Sequence, residues 1–199
     1  MTRPHGLDLP SSSLSPQADT GEAGGNRVAG YLEDQRRPLP AFLLADRQML
    51  EAWLDFQRTT LLIKCEGLDG EARKRRPVPT SKLSLHGLIR HTAEVERNWF
   101  QRVLLGDADA TFIWRTPGVA DSELEPLDAA DWDADLAAWQ AECEASRRSA
   151  ASRELDDTGL VNGEPCSLRW IYAHMIEEYA RHNGHADLIR ELVGGGVGF

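Results

Sequence analysis

The chain has 199 residues, 32 acidic against 22 basic side chains, a formal charge of −10 and 41% hydrophobic content. That length suits one domain with a real hydrophobic core and hardly two, and the summed negative field would repel a phosphate backbone or an anionic membrane surface, so nucleic acid is not an expected partner. No run of ~18 apolar residues suggests a membrane span, and three cysteines without an apolar leader predict reduced thiols and a cytoplasmic location.

Residues 1–38, with "LPSSSLSPQADTGEAGGN" among them, are rich in Pro, Ser, Gly and Asp and have no apolar period. Such a segment cannot bury enough surface to offset its ordering entropy, and it is read as a flexible tail ahead of a domain over 39–196. "AFLLADRQMLEAWLDFQRTTLLIKCEGL" sets Phe42, Leu43, Leu50, Trp53, Leu54, Leu61 and Leu62 at helical spacing until Gly67, which predicts a helix over 40–66. The basic run from Arg73 to Arg76 reads as a solvated loop.

A second helix is expected over 82–105, with Thr80 or Ser84 as its cap, Leu85, Leu88, Val95 and Trp99 on its apolar face, and Gly106 at its end. The polar and aromatic connection that follows has two prolines and no convincing period, and a connection that long often covers a site. Asp131 can cap a third helix carrying Leu136, Trp139, Cys143 and Ala150 inward. "DDTGLVNGEPCSLRW" allows a brief extended segment before Ser167 caps a fourth helix over 168–193. Four long helices with strands minor or absent predict an all-α helix bundle. Trp53, Trp99, Trp139 and Trp170 read as core residues, and Cys143 and Cys166, without C-x-x-C spacing, as core or loop residues rather than a redox pair.

The last helix, "IYAHMIEEYARHNGHADLIREL", interrupts its own apolar seam: Glu178, His182 and His185 fall among Ile171, Met175, Ile189 and Leu192. Each helical residue advances about 100°, so Glu178 and His182 point the same way one turn apart and could share one ion. A carboxylate in such a seam is costly unless paired or metal-bound, and no Lys or Arg lies at i±3 or i±4 on that face; Arg181 leads to its edge. On the second helix His91 falls inside the apolar arc set by Leu88 and Val95, whereas His86, about 140° away, should face elsewhere. Two imidazoles and a carboxylate suit zinc, nickel or ferrous iron, and three protein ligands leave a position open, the catalytic pattern. The plain alternative is a set of core histidines, each satisfied by one hydrogen bond. His174 reads as a hydrogen-bonding residue at the seam's edge.

"LSLHGLIRHTAEVERNWFQRVLLGD" followed by "SLRWIYAHMIEEYARHNGHADLIREL" resembles the DinB-like superfamily, in its actinobacterial branch related to mycothiol-dependent maleylpyruvate isomerase and to the bacillithiol S-transferases. The resemblance spans residues 40–193. It implies a DinB-like four-helix bundle with a divalent metal held by His91, Glu178 and His182, zinc being the first expectation. It also implies a transferase in which a low-molecular-weight thiol, mycothiol, docks its sulfur on the open position and the thiolate attacks a small electrophile. A sugar-containing thiol needs polar donors at the bundle mouth, for which Asn98, Arg102 and Tyr179 are candidates by face. His185 departs from the many relatives with Gln there; it would either orient a ligand or fill the fourth position and close it. The isomerase carries a further C-terminal domain that has no counterpart in this sequence, so isomerisation is not carried over. Two other functions stay open: hydrolysis by a metal-held water with Glu94 or His185 as base, and a non-catalytic, metal-stabilised small-molecule binding module. No membrane partner is expected, and a homodimer is compatible with the bundle.

Overall fold

The computed structural model describes residues 36–197, so all but the last three residues of the expected tail over 1–38 lie outside it. Its elements are α1 (Asp46–Cys65), a short α2 (Gly70–Lys74), α3 (Leu85–Glu96) running on as a π-helical segment (Arg97–Val103), a 3-10 turn (Ser122–Leu124), α4 (Trp132–Ala151), strands β1 (Thr158–Val161) and β2 (Glu164–Ser167), and α5 (Leu168–Leu192). The fold is therefore mainly α with one small antiparallel hairpin. Among the described residues no helix is long and apolar enough to cross a membrane.

Local chemistry sets where the elements start. Ser84 Oγ accepts the Gly87 N–H, Asp131 accepts those of Asp133 and Ala134, and Ser167 accepts that of Trp170, so three helices open on side-chain caps that satisfy otherwise orphaned donors. Asp69 caps α2 in the same way, a helix the apolar period does not reveal because it is only one turn long. The extended segment before α5 closes between Val161 and Glu164 through Asn162 and Gly163, both at positive φ, the pairing that two-residue hairpin turns favour. A Cβ at Gly159 would run into the Val103 backbone, so the hairpin can lie against the end of the π-helical segment only with glycine there.

Three expectations need correction. The first helix begins at Asp46, not 40, and Phe42 and Leu43 are 83% and 94% exposed, because the chain bends through 36–45 before any helix forms. Trp170 is half exposed rather than core, and Leu192 at the end of the seam is exposed as well. The second helix is not α throughout: Leu104 N–H bonds to the Trp99 carbonyl five residues back, a π turn that inserts one residue and re-aims those after it.

The helices enclose one core built from Leu54, Leu61, Leu85, Leu88, Ile89, Phe100, Leu168, Ile171 and Met175, all buried. α1 lies along α5 and α4 along α3, and α3 also meets α5. That last contact positions the site.

Candidate metal centre

His91 projects from the middle of α3 and Glu178 and His182 from adjacent turns of α5, and all three side chains are mostly buried. Glu178 Oε1 lies 3.1 Å from His91 Nε2 and 3.2 Å from His182 Nε2, so a single carboxylate oxygen faces two imidazoles. One ligand atom from each residue falls within 4.8 Å of the others, and the three could hold a metal ion. The His91 and His182 rings meet edge to face, with centroids 4.6 Å apart.

The outer nitrogen of His91 is also engaged. Its Nδ1 is 2.8 Å from Glu123 Oε1, and because a carboxylate only accepts, Nδ1 carries a proton while Nε2 faces the centre. Glu123 comes from the 3-10 turn in the long connection, and no spacing in the sequence ties it to His91, 32 residues away. The one clue was the length of the connection itself.

Electrostatics follow from this geometry. Burial pushes the His91 imidazole down, but its hydrogen bonds to Glu123 and Glu178 outweigh that and hold it up at about 9. Hydrogen bonds from His182 and His91 hold the Glu178 carboxyl well below the usual range, against its burial. Glu123 is also lowered, burial being outweighed by His91. Two carboxylates thus flank the His91 imidazole and hold its positive charge between them. No Lys or Arg pairs with Glu178 among the described residues.

His185 stands behind His182 rather than beside Glu178: the two Nδ1 atoms are 3.3 Å apart, on the side of the His182 ring away from Glu178. Burial, followed by the neighbouring His182 and Arg181, lowers its imidazole pKa.

The remaining candidates are not gathered here. Tyr179 is fully buried, and its hydroxyl donates to Glu96 Oε1 (2.9 Å) and accepts from Trp139 Nε1 (3.0 Å), so it belongs to the core and not to a mouth. Its direction is about 100° round the helix from Glu178. Arg102 donates to the Ala110 carbonyl and lies 4.3 Å over the Phe112 ring, pinning the connection. Asn98 is half-buried on the π-helical segment. Glu94 Oε1 accepts the backbone N–H groups of Ile113, Trp114 and Arg115, which ties the same connection to α3. His86 turns to α4 and meets Asp135 Oδ2 at 2.7 Å.

A mainly α fold in which two helices bring together a His, Glu, His set that could hold a metal ion is the class this architecture defines. The Mycothiol-S-transferase family model matches residues 49–195, which span nearly all of α1 through α5 and every residue of the centre, and the chain belongs to that family. No curated protein matches it.

Proposed function

We propose that this protein is a divalent-metal-dependent mycothiol S-transferase on a DinB-like four-helix bundle, with zinc held by His91, Glu178 and His182. Family membership supports the thiol substrate. The observation that carries the metal reading is one Glu178 oxygen 3.1 and 3.2 Å from two imidazole nitrogens, with no Lys or Arg paired to it among the described residues. The donor set fits: two neutral nitrogens and one carboxylate are borderline ligands, and three of them leave a position for substrate. A zinc ion there would supply the Lewis acidity that keeps a docked thiol ionised near neutral pH.

The chain's own residues do the rest. Glu123 accepts the His91 Nδ1 proton and so keeps Nε2 free to ligate, while His185 backs His182 on its far side. Glu178 would offset part of a bound ion's charge. The thiol loses its proton to solvent, its sulfur forms a bond to the electrophilic carbon of the second substrate, and the leaving group departs with the displaced electron pair. Hydrolysis is disfavoured because Glu94, one of its two candidate bases, is committed to three backbone donors.

The test is metal analysis of protein purified without added metal, for wild type, His91→Ala and His182→Ala, with circular dichroism as the folding check. We expect stoichiometric divalent metal in the wild type and its loss from both variants, together with enzyme-dependent consumption of mycothiol by a bimane electrophile. A metal-free wild type, or metal retained by both variants, overturns the centre. Metal-loaded enzyme that leaves mycothiol untouched overturns the transferase reading.

A further inference from the structure

We propose that Trp99, His174 and Trp170 form a stacking platform for the sugar ring of the thiol substrate, along the same helix interface as the metal centre. The inference rests on the thiol-transfer reading and assigns the part of the substrate remote from sulfur.

Trp170, His174, Glu178 and His182 recur every four residues on α5, so they form one row that winds slowly round the helix. On the facing element His91 meets Glu178 and His182, whereas Trp99, eight residues on, meets His174 and Trp170. The two stations therefore lie on one antiparallel interface. At the α-helical rise, Trp170 stands about 12 Å from Glu178 along the axis and His174 about 6 Å. Trp99 itself lies within the π-helical segment, and such insertions are frequent at functional sites.

The ring geometry is that of a built surface. Trp170 stacks on His174 with 18° between planes and centroids 5.0 Å apart, and it leans on Trp99 at 5.2 Å. His174 meets Trp99 at 4.6 Å. Trp170 nevertheless remains 50% exposed, so two ring partners fix its orientation while much of the indole faces water. A core tryptophan would be covered, and a solitary surface tryptophan would lack the partners.

A polar group stands beside the rings. Glu177, 58% exposed, lies 3.6 Å from His174 Nδ1. An indole face attracts polarised C–H groups through its negative quadrupole, and a neighbouring carboxylate can take up a hydroxyl. That combination recognises the face of a saturated sugar ring. The reacting carbon of the electrophile must come within about 3–3.5 Å of the sulfur, so it lies at the centre and not at this station. A ring carried on an arm of about five covalent bonds of about 1.5 Å each reaches the His174 level from a sulfur at the centre.

The test compares wild type, Trp170→Ala and Trp170→Tyr in bimane transfer from mycothiol and from N-acetylcysteine, a thiol without a sugar. For Trp170→Ala we expect KM for mycothiol to rise about tenfold with kcat within about twofold, the N-acetylcysteine kinetics unchanged, and Trp170→Tyr to recover most of the loss. An unchanged KM for mycothiol, or equal losses with both thiols, overturns the platform. A second readout needs no turnover: titration of the sulfur-free glucosaminyl-inositol into the protein as purified, followed by tryptophan fluorescence. A saturable change in wild type that Trp170→Ala lacks supports the platform, even if no thiol is transferred and the transferase reading fails. No saturable change in wild type overturns the platform, even if transfer is intact.

Discussion

Two carboxylates interrupt the α3–α5 interface, and their surroundings are opposite. Glu96 is fully buried and takes a two-pronged hydrogen bond from the Arg58 guanidinium (2.7 and 2.6 Å) and another from the Tyr179 hydroxyl, so its charge is cancelled where it stands. Glu178, the chain neighbour of Tyr179, has only imidazoles before it. A guanidinium can only donate, and it closes the site around Glu96. An imidazole can either donate a proton or lend a lone pair, and this leaves the Glu178 site able to exchange protons for a cation. One cluster is a structural lock, and the other is a socket.

The lock is where the largest effect is expected. Arg58→Ala strands Glu96 without its partner inside the core and should cost about 3–5 kcal/mol of unfolding free energy, measured by urea titration. A cost below about 1 kcal/mol would mean that Glu96 is neutral or hydrated and that the contrast drawn here is wrong. His91→Ala, by contrast, should empty the socket while moving the urea midpoint of the metal-free protein much less than Arg58→Ala does.

Next in size is the support of the socket. Glu123→Ala removes the acceptor that fixes the His91 tautomer, and metal affinity should fall about 10- to 100-fold in chelator competition, with the secondary structure retained. Affinity that stays at the wild-type level would show that packing alone orients His91.

Much of this was legible in the sequence, and the rest failed for physical reasons. The caps at Asp131 and Ser167, with Ser84 as one of two candidates, follow from residue type; the 3.6-residue period gives the second helix as a helix, sets Glu178 and His182 on one face and turns His91 inward, and the resemblance implies that the three meet. The period cannot say what lies opposite a face. The face of α5 makes Tyr179 a candidate for the mouth, and only the packing of α4 against α3 brings Trp139 and Glu96 to its hydroxyl. Glu123 was invisible because it sits in a connection whose path is set by contacts to Glu94, Arg97 and Arg102, none of which leaves a pattern in the chain. Trp170 was read as core from residue type alone, although exposed apolar side chains are common.

A smaller effect separates the socket histidines from His86, which is locked. Burial lowers the His86 imidazole below its ordinary value, outweighing the pull of Asp135, and its Nδ1 is buried without a hydrogen-bond partner. Its folded pKa lies below the unfolded one, so its contribution to stability is complete above about pH 6.5 and is lost as the pH falls through the lower folded value. His86 should therefore pull the urea midpoint down between pH 7 and pH 5, against the opposite contribution of His91, and His86→Gln should change the slope by removing that pull. An identical slope in the variant would assign the acid sensitivity to other groups.

The smallest effect concerns the protein's own thiols and bears on why a transferase would take its sulfur from outside. Burial pushes the Cys65 thiol up to about 12, and burial together with the charge of Glu96 pushes Cys143 up further. Cys166 is raised too, by burial, but remains half-buried and reachable. Since the thiolate is the nucleophile, a disulfide reagent should label one cysteine in the native protein and all three after denaturation. Arg58→Ala should speed labelling of Cys143, because that thiol lies 3.8 Å from Glu96 within the lock. Labelling of Cys143 as fast in wild type as in the variant would show the lock already open, and would remove the distinction between a cluster that keeps its sulfur silent and a centre left free to activate another.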